Sequence, residues 1–308
     1  MTRILVTGAS GLLGINFALR FAAEHPILGL TNTHPLKDAP FASQPLDLTD
    51  PAALNSALDA FRPEIVLHCA ALANIDACER SPLEAERINA WVPEQLALAA
   101  AQHGFKLVHL STDAVFDGQK GDYVETDQPN PLSVYARTKL QAEQRVLAAN
   151  PDALVARVNF YGWSVSGQRS LGEFFYNNLS QGRRVNGFMD VFFCPLEVTL
   201  LAETLLRLAE LDCRGIYHVV SSQCWSKYAF GCAIAQRFGL DEGLITPLSV
   251  QQGGLTAARS PNLGLNTDKL TSALGTSAPG QAQGLQRFYQ HYLDGFPQRV
   301  RALGQIPA

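Results

Sequence analysis

A tyrosine and a lysine four residues apart, Tyr135 and Lys139 in the segment VYARTKLQAE, have the types and the spacing for proton transfer. On a helix this spacing puts both side chains on one face. An ammonium group beside a phenol stabilises the tyrosinate and lowers the phenol pKa from its usual value of about 10. The tyrosine then exchanges a proton with a carbonyl or alcohol oxygen while hydride moves to or from the attached carbon. A solvated pair on a helix surface has the same spacing, so the surrounding residues decide.

The segment HLSTDAVFDG places a polar turn where an apolar strand, KLVHL, should end. Ligands of a doubly wound sheet bind beyond the carboxyl ends of its strands, where this turn and the start of the Tyr135 helix should both lie. We expect the Thr112 hydroxyl to hold a substrate oxygen against Tyr135. Ser111 would face the other side of an extended strand, and it is the alternative donor. Asp113 either binds a substrate hydroxyl or caps the turn that follows.

Three glycines, Gly8, Gly11 and Gly14 in VTGASGLLG, follow the first apolar strand and begin a helix. Glycines at such a turn allow a tight bend, a close approach of the backbone to a pyrophosphate and close packing of the helix on the strand. The N–H groups at the helix N-terminus favour the phosphates. The sequence therefore predicts a dinucleotide site, and its GxxGxxG spacing resembles that of the extended short-chain dehydrogenases/reductases.

Short apolar strands alternate with longer helical patterns over the first half of the chain. Strands are expected at 3–7, 27–31, 44–48, 65–68, 106–110 and 153–159, and helices at 11–24, 51–61, 82–103 and 134–149. Strict alternation predicts an α/β fold of the Rossmann type, a doubly wound parallel sheet covered on both faces. Asp50 and Pro51 form a good helix start, and Pro93 should kink or split the third helix.

The alternation of strand and helix patterns ends near Trp163, where the sequence becomes rich in glycines and aromatic residues with irregular spacing. We expect residues 1–160 to form the dinucleotide-binding domain. Residues 161–308 are expected to form mainly a smaller α+β substrate-binding domain, with some segments returning to the main sheet.

The composition bounds the partners. A net charge of −4 with scattered basic residues gives no reason to expect nucleic acid or an anionic membrane. No apolar run approaches the ~20 residues of a membrane helix, and the chain starts with a strand pattern rather than a signal peptide. The six cysteines form no CxxC pair, which favours a reducing compartment over a disulfide framework. A cytoplasmic protein is therefore expected, while composition gives no basis for an oligomeric state.

Two histidines, His68 and His109, fall inside predicted strands and are expected to be buried and hydrogen-bonded in the core. No grouping of His, Asp and Glu has a convincing metal spacing, so no metal is predicted.

Four segments together, STDAVFDG, PLSVYARTKLQAE, HCAALANIDACE and GIYHVV, resemble the dTDP-4-dehydrorhamnose reductase family, and RSPNLGLNTDKL is similar to its C-terminal part. The resemblance implies a nicotinamide-dependent reduction of the 4-keto group of a nucleotide-activated 6-deoxysugar, with a nucleoside diphosphate sugar as substrate. It gives Thr112, Tyr135 and Lys139 the catalytic roles. It also makes Arg259 a candidate for binding the diphosphate, since a guanidinium pairs with such a group through two hydrogen bonds.

The choice of cofactor depends on the end of the second strand. An Asp or Glu there binds the ribose hydroxyls and repels a 2′-phosphate. The segment LTNTHP has neither, so NADP(H) is favoured and NAD(H) is the alternative. Asp47 matches the family position that contacts the adenine amino group, and it is equally a turn or capping residue. The resemblance implies that Gly8, Gly11 and Gly14 bind the pyrophosphate and that Ala70, Ala71 and Leu72 line the cofactor. With these, the expected cofactor-binding residues are Gly8, Ser10, Gly11, Leu12, Leu13, Gly14, Asn32, Asp47, Leu48, Ala70, Ala71, Leu72, Tyr135 and Lys139.

Three departures from the family pattern fall on the substrate side. Ala114 stands where the family usually has tyrosine, RVNFYGW replaces its usual Trp-containing segment, and NGFMDVFFCP lacks its Asp-Gln-x-Gly-x-Pro-Thr pattern. Two other functions share the same motifs. One is a nucleotide-sugar epimerase or dehydratase that holds NAD tightly, and the other is a non-catalytic regulatory subunit similar to the β subunit of methionine adenosyltransferase.

Overall fold

The computed structural model describes residues 1–252 and 260–304. Its strands are β1 (Ile4–Thr7), β2 (Ile27–Thr31), β3 (Ala42–Pro45), β4 (Ile65–His68), β5 (Lys106–Thr112), β6 (Leu154–Val158), β7 (Phe160–Tyr161), β8 (Val185–Phe188), β9 (Phe192–Phe193), β10 (Leu196–Glu197), β11 (Gly215–Val219), β12 (Trp225–Ser226) and β13 (Ile245–Leu248). Its α-helices are α1 (Leu12–Phe21), α2 (Pro51–Phe61), α3 (Ile75–Arg80), α4 (Pro82–Glu86), α5 (Val92–His103), α6 (Val134–Ala149), α7 (Leu171–Leu179), α8 (Val198–Glu210), α9 (Lys227–Phe238), α10 (Asp268–Leu274), α11 (Gln281–Leu293) and α12 (Phe296–Ala302).

Within the described residues, seven strands form the main sheet in the order β11-β6-β5-β4-β1-β2-β3. Every neighbouring pair in it is parallel. The strand order reverses between β1 and β4, which is the point where ligands bind in doubly wound sheets. The predicted doubly wound α/β fold is confirmed.

Successive side chains of each strand point to opposite faces of the sheet, which creates two apolar cores. Ile4 and Val6 of β1 pack in one core with residues of α1 and α8. Leu5, between them, packs in the other with residues of α2, α5 and α6. Helices therefore cover both faces, and the site must form at the carboxyl edge, where the helix N-termini meet the strand ends.

The long helix expected at 82–103 is divided. It consists of α4, a π-helical turn at Arg87–Trp91, and α5, which has Pro93 in its first turn. The proline lacks the N–H that a continuous α-helix needs, so the predicted interruption is confirmed. The α2 start is also confirmed, since the Asp50 carboxylate accepts hydrogen bonds from the Ala52 and Ala53 N–H groups.

Two strand boundaries differ from expectation. Strand β5 continues through Ser111 and Thr112, because both pair with β6. Strand β3 lies at Ala42–Pro45 rather than at 44–48. As the edge strand it is mostly exposed, so its position carries no apolar signal in the sequence.

The second half of the chain contributes to both parts of the molecule. Strand β11 joins the main sheet beside β6, and α8 packs in the same core as α1. A third core, rich in aromatic side chains, lies around Trp163, whose ring stacks on Phe288 at 4.1 Å between centroids. The short pairs β7–β10, β8–β13 and β9–β12 belong to this second half.

A disulfide joins Cys194 to Cys224. Strands β9 and β12 are antiparallel with Phe193 opposite Trp225, so the two cysteines are the next opposed pair. The cysteine spacing, which favours a reducing compartment over a disulfide framework, does not predict this disulfide. Neither β9 nor β12 exceeds two residues, and so short a ladder leaves no pattern from which the pairing could be deduced.

Candidate active site

The glycine turn after β1 packs closely against its neighbours and leads into the start of α1. Gly8 has φ +63°, and a Cβ on it would lie 2.8 Å from the Ala70 backbone nitrogen. A Cβ on Gly14 would lie 2.9 Å from the Cα of Ala9, so only glycine permits this packing of the helix on the turn. Gly11 precedes α1, and no side chain caps the helix N-terminus. The N–H groups at the α1 N-terminus are therefore available to phosphate oxygens.

A cleft of about 950 Å³ lies along the carboxyl edge of the sheet. Every residue expected to bind the cofactor lines this cleft, and so do Ser111, Thr112 and Asp113. The structure thus brings the glycine turn and the proposed catalytic residues into one space, as the topology predicts. Arg259 lies outside the described residues. Cleft residues that the sequence did not single out include Asn74, Asn159, Gln168 and Arg169.

The part of the cleft at the end of β2 is formed by Asn32, Thr33 and His34, with no carboxylate among them. The Thr33 hydroxyl and the His34 Nδ1 are 2.9 Å apart. Asp47 Oδ1 accepts hydrogen bonds from the N–H and the hydroxyl of Thr49, each at 2.9 Å, and these bonds lower its pKa. Asp47 therefore serves as a turn residue, and its position in the cleft also allows the adenine contact.

Thr112 and Asp113 form a compact group at the end of β5. The Thr112 hydroxyl donates to Asp113 Oδ1 at 3.1 Å and accepts from the Ala114 N–H at 3.2 Å. Asn159 Nδ2 donates to Asp113 Oδ2 at 2.5 Å. Burial raises the pKa of Asp113 to about 6, although the hydrogen bonds from Asn159 and Thr112 act in the opposite direction. The Thr112 side chain therefore caps the turn, and Asp113 lies at the wall of the cleft.

The helix α6 presents Tyr135 and Lys139 to the cleft. Ser133 caps it by accepting a hydrogen bond from the Ala136 N–H, which fixes the start of the helix beside the end of β5. Burial raises the pKa of Tyr135 above its usual range, and the Asp113 charge adds to this. The expectation that Lys139 lowers the phenol pKa is therefore wrong here, because desolvation and a nearby carboxylate dominate.

Lys139 is 3% exposed. Burial lowers its pKa to about 8, and the charge of Glu143 works against that shift. Most of the lysine is therefore protonated at neutral pH. The site has a neutral phenol and a charged ammonium on one helix face.

Beneath Lys139, a buried network joins α6 to the sheet. Arg157 Nε and Nη2 donate to the two Glu143 oxygens at 2.9 and 2.8 Å, and the Ser111 hydroxyl donates to Oε1 at 2.5 Å. Arg157 and Glu143 are each 2% exposed. Ser111 lies opposite Arg157 in the β5–β6 register. The hydrogen of the Ser111 hydroxyl is thus directed to Glu143.

Asn89, in the π-helical turn, is a positioning residue that sequence reasoning missed. Its Oδ1 accepts from the Leu72 N–H at 2.8 Å, and its Nδ2 donates to the Leu72 carbonyl and to Thr138 Oγ1, both at 3.1 Å. It therefore ties a cofactor-lining residue to the helix that carries Tyr135. Pro93 is the only signal of the π turn in the sequence. The turn brings the Asn89 amide within hydrogen-bonding distance of Leu72 and Thr138.

His68, at the end of β4, and His109, in the middle of β5, are buried side by side, with their rings stacked at 5.4 Å. His68 Nδ1 is 2.7 Å from the Thr7 hydroxyl. Among the residues that the structure describes, neither ring nitrogen of His109 has a hydrogen-bond partner, so the expectation is correct for His68 and wrong for His109 in this respect. Burial and the Lys139 charge lower the pKa of His68 to about 3 and hold the pKa of His109 well below its usual value.

Residues 1–252 and 260–304 include neither a membrane-spanning helix nor a metal-binding group of side chains. No helix there has both the length and the apolar character needed to cross a membrane. No three side chains of His, Cys, Asp or Glu are grouped so that they could hold a metal ion.

Two curated proteins are similar over most of the chain. The dTDP-4-dehydrorhamnose reductase of Mycobacterium tuberculosis is 35% identical over 269 residues, which cover 84% of this chain and 83% of that protein. Methionine adenosyltransferase 2 subunit beta of Danio rerio is 31% identical over 278 residues, which cover 87% of this chain and 84% of that protein.

A solved structure agrees with the fold. The dTDP-4-dehydrorhamnose reductase of Bacillus anthracis, crystallised in complex with NADP, superposes with a TM-score of 0.81. It is 25% identical, and the superposition covers 94% of this chain and 99% of that one. A family model, the RmlD substrate binding domain, matches residues 1–294. The chain therefore belongs to the RmlD substrate-binding domain family, within the extended short-chain dehydrogenases/reductases.

Proposed function

We propose that this protein is an NADP(H)-dependent reductase that transfers hydride to the keto group of a nucleotide-activated deoxysugar. The observation that carries the proposal is the single cleft that joins the glycine turn to Thr112, Tyr135 and Lys139. The similarity to dTDP-4-dehydrorhamnose reductases supports both the reaction and the substrate class.

The residues of the cleft fit a dinucleotide. Gly8 and Gly14 allow the tight packing of the turn, because a Cβ on either would clash with backbone atoms, and the uncapped α1 N-terminus offers donors to a pyrophosphate. Since Asn32 and His34 stand at the β2 end in place of a carboxylate, a 2′-phosphate meets no repulsion there. NADP(H) is the expected cofactor, as in the complex of the similar reductase, with NAD(H) as the alternative. When bound, it supplies the hydride.

Tyr135 is the proposed proton donor. Its raised pKa keeps the proton on the phenol until the substrate carbonyl oxygen becomes a much stronger base as hydride arrives. Thr112 would hold that oxygen beside the phenol once its hydroxyl hydrogen turns from Asp113 Oδ1 to the substrate, while the Ala114 N–H keeps the Thr112 oxygen in place. Lys139, largely protonated at neutral pH, would stabilise the tyrosinate left behind.

The substrate side of the cleft suits a sugar. Asp113 lies at the cleft wall and is braced by Asn159, so its carboxylate has a fixed position for a sugar hydroxyl. Ala114 lacks the bulk and hydroxyl of the usual tyrosine, which leaves room for a differently substituted sugar. Arg259 remains our candidate for the diphosphate.

The test is NADPH oxidation with dTDP-4-keto-6-deoxyglucose and related ketosugar nucleotides. Tyr135→Phe should lower kcat by roughly 10²-fold or more, the scale of general acid catalysis, while NADPH still binds. Tyr289→Phe, a half-buried tyrosine that does not line the cleft, is the matched control. Near-normal turnover by Tyr135→Phe would remove the tyrosine from the mechanism. Reduction of simple ketones but of no nucleotide sugar would reject the substrate class.

A second candidate is a non-catalytic regulatory subunit, which the similarity to methionine adenosyltransferase 2 subunit beta favours. The presence of Thr112, Tyr135 and Lys139 together argues for catalysis. The two functions differ in one result: a regulatory subunit would bind NADPH and turn over none of the ketosugar nucleotides.

A further inference from the structure

The segment that leads from β7 to α7 lies beside the N-terminal half of α1. Asn16 Nδ2 donates to the Trp163 carbonyl at 2.9 Å. A Cβ on Gly162 would lie 3.7 Å from Leu12 Cδ1. This segment of the second half is therefore fixed against the helix whose N-terminus borders the glycine turn.

The backbone of the segment is held firmly by one buried carboxylate. Glu173, which is inaccessible to solvent, accepts hydrogen bonds from the N–H groups of Ser164, Arg169 and Ser170 at 2.7, 2.9 and 3.2 Å. Ser170 completes a capping box with Glu173 at the start of α7. The position of the Arg169 backbone is thus fixed, while its side chain is exposed.

Arg169 lines the same cleft as Gly8, Gly11 and Gly14. Within the described ranges, its guanidinium makes no hydrogen bond or ion pair, in contrast to Arg157, whose charge is matched by Glu143. The other Lys or Arg among the lining residues is Lys139, which is buried at the proton-transfer end. The dinucleotide end of the cleft therefore has one unmatched full positive charge on a braced backbone.

We propose that Arg169 binds the pyrophosphate of the dinucleotide from the side opposite the glycine turn. This inference rests on the proposed function. A pyrophosphate carries two negative charges, whereas a helix N-terminus supplies only about half a positive charge. A guanidinium adds a full charge and paired donors that match phosphate oxygens. The contacts of the segment with Asn16 and Leu12 place it beside the helix that begins at the glycine turn, which favours the pyrophosphate as the group that Arg169 meets.

The test measures cofactor binding without substrate, by nicotinamide fluorescence, for Arg169→Gln and Arg169→Lys. Arg169→Gln should weaken NADPH and NADH alike, by roughly tenfold to a hundredfold, the scale of one charge-assisted hydrogen bond. The cofactor affinity of Arg169→Lys should lie between those of Arg169→Gln and the native protein, because lysine keeps the charge but loses the paired donors. Adenosine 2′-monophosphate, which has no pyrophosphate, should bind all three proteins equally, as measured by its competition with NADPH. Arg207→Gln, at a side chain 58% exposed on α8 and outside the cleft, is the control and should bind as the native protein does.

Three results would overturn the inference. Weaker binding of NADPH but not of NADH would place Arg169 at the 2′-phosphate. Unchanged cofactor affinities with a raised KM for the nucleotide sugar would place it at the substrate. Unchanged values throughout would give it no binding role. If the native protein bound neither NADPH nor NADH, the proposed function itself would fail, which is a separate outcome.

Discussion

Replacing Asp113 by asparagine should change how the stability of the protein depends on pH. The Asp113 side chain is 4% exposed, and burial raises its pKa from an ordinary value near 4 to about 6. Below about pH 4 the carboxyl is protonated in both the folded and the unfolded chain. Between pH 4 and 6 this carboxyl loses its proton first in the unfolded chain. The contribution of Asp113 to the free energy of unfolding therefore falls as the pH rises and is level above that range.

The size of this effect follows from the shift. About 2 pKa units at 1.36 kcal/mol each give about 3 kcal/mol of stability lost by the native protein between pH 4 and 7. Asparagine has nearly the same size and does not titrate. Its amide can still meet Thr112 and Asn159 if the Asn159 amide rotates. The difference in stability between Asp113→Asn and the native protein should therefore shift by about 3 kcal/mol in favour of the variant over this interval.

Urea unfolding from pH 4 to 8, followed by circular dichroism, measures this difference directly. Other titrating groups contribute equally to both proteins and cancel. Asp59→Asn, at an exposed position on α2, serves as the control for removing a carboxylate. A difference between Asp113→Asn and the native protein that stays constant across pH would refute the assignment of a buried, destabilised carboxylate at the cleft wall.

Glu143→Ala should lower the free energy of unfolding by about 3–5 kcal/mol, because it leaves the buried Arg157 guanidinium unpaired; an unchanged urea midpoint would contradict this. Gly8→Ala should cost more in thermal stability than Gly104→Ala. Both have positive φ, which strains alanine by roughly 1–3 kcal/mol, but only Gly8 has a backbone neighbour 2.8 Å from the added Cβ. The contribution of His68 to stability should fall below pH ~6.5, since the unfolded chain takes up a proton that buried His68 does not, at about 1.4 kcal/mol per pH unit. In urea unfolding, the free energy of unfolding of His68→Asn should rise relative to that of the native protein as the pH falls from ~6.5 to ~4, and a constant difference would count against it.

The sequence predicts those parts of the site whose residues lie close together in the chain. The glycine spacing after β1 and the Tyr135–Lys139 spacing on α6 are local, so each needs only the type of one element and its neighbour. The meeting of these two segments follows from the parallel topology, because strand ends and helix starts share one edge of the sheet.

The features that sequence reasoning missed depend on contacts between distant segments. The pairing of Glu143 with Arg157 needs the β5–β6 register, and Asn89 reaches Leu72 only through the π turn. The spacing of Tyr135 and Lys139 does not predict the raised pKa of Tyr135, because it reveals the nearby lysine but neither the burial nor the Asp113 charge. Arg169 carries no local signal, since its role depends on where its loop lies relative to α1.

The return of β11 to the main sheet has a consequence for engineering substrate choice. Because β11 pairs with β6 and α8 packs beside α1, part of the second half completes the first. Leu270 of α10 packs in that same core. Division of the chain at residue 160 would not give an exchangeable domain, because it would remove from the main sheet its outer strand, β11, and one of the helices that cover it, α8. A working chimera must keep β10, α8, β11 and α10 with the first half and exchange only the intervening loops and the aromatic core around Trp163.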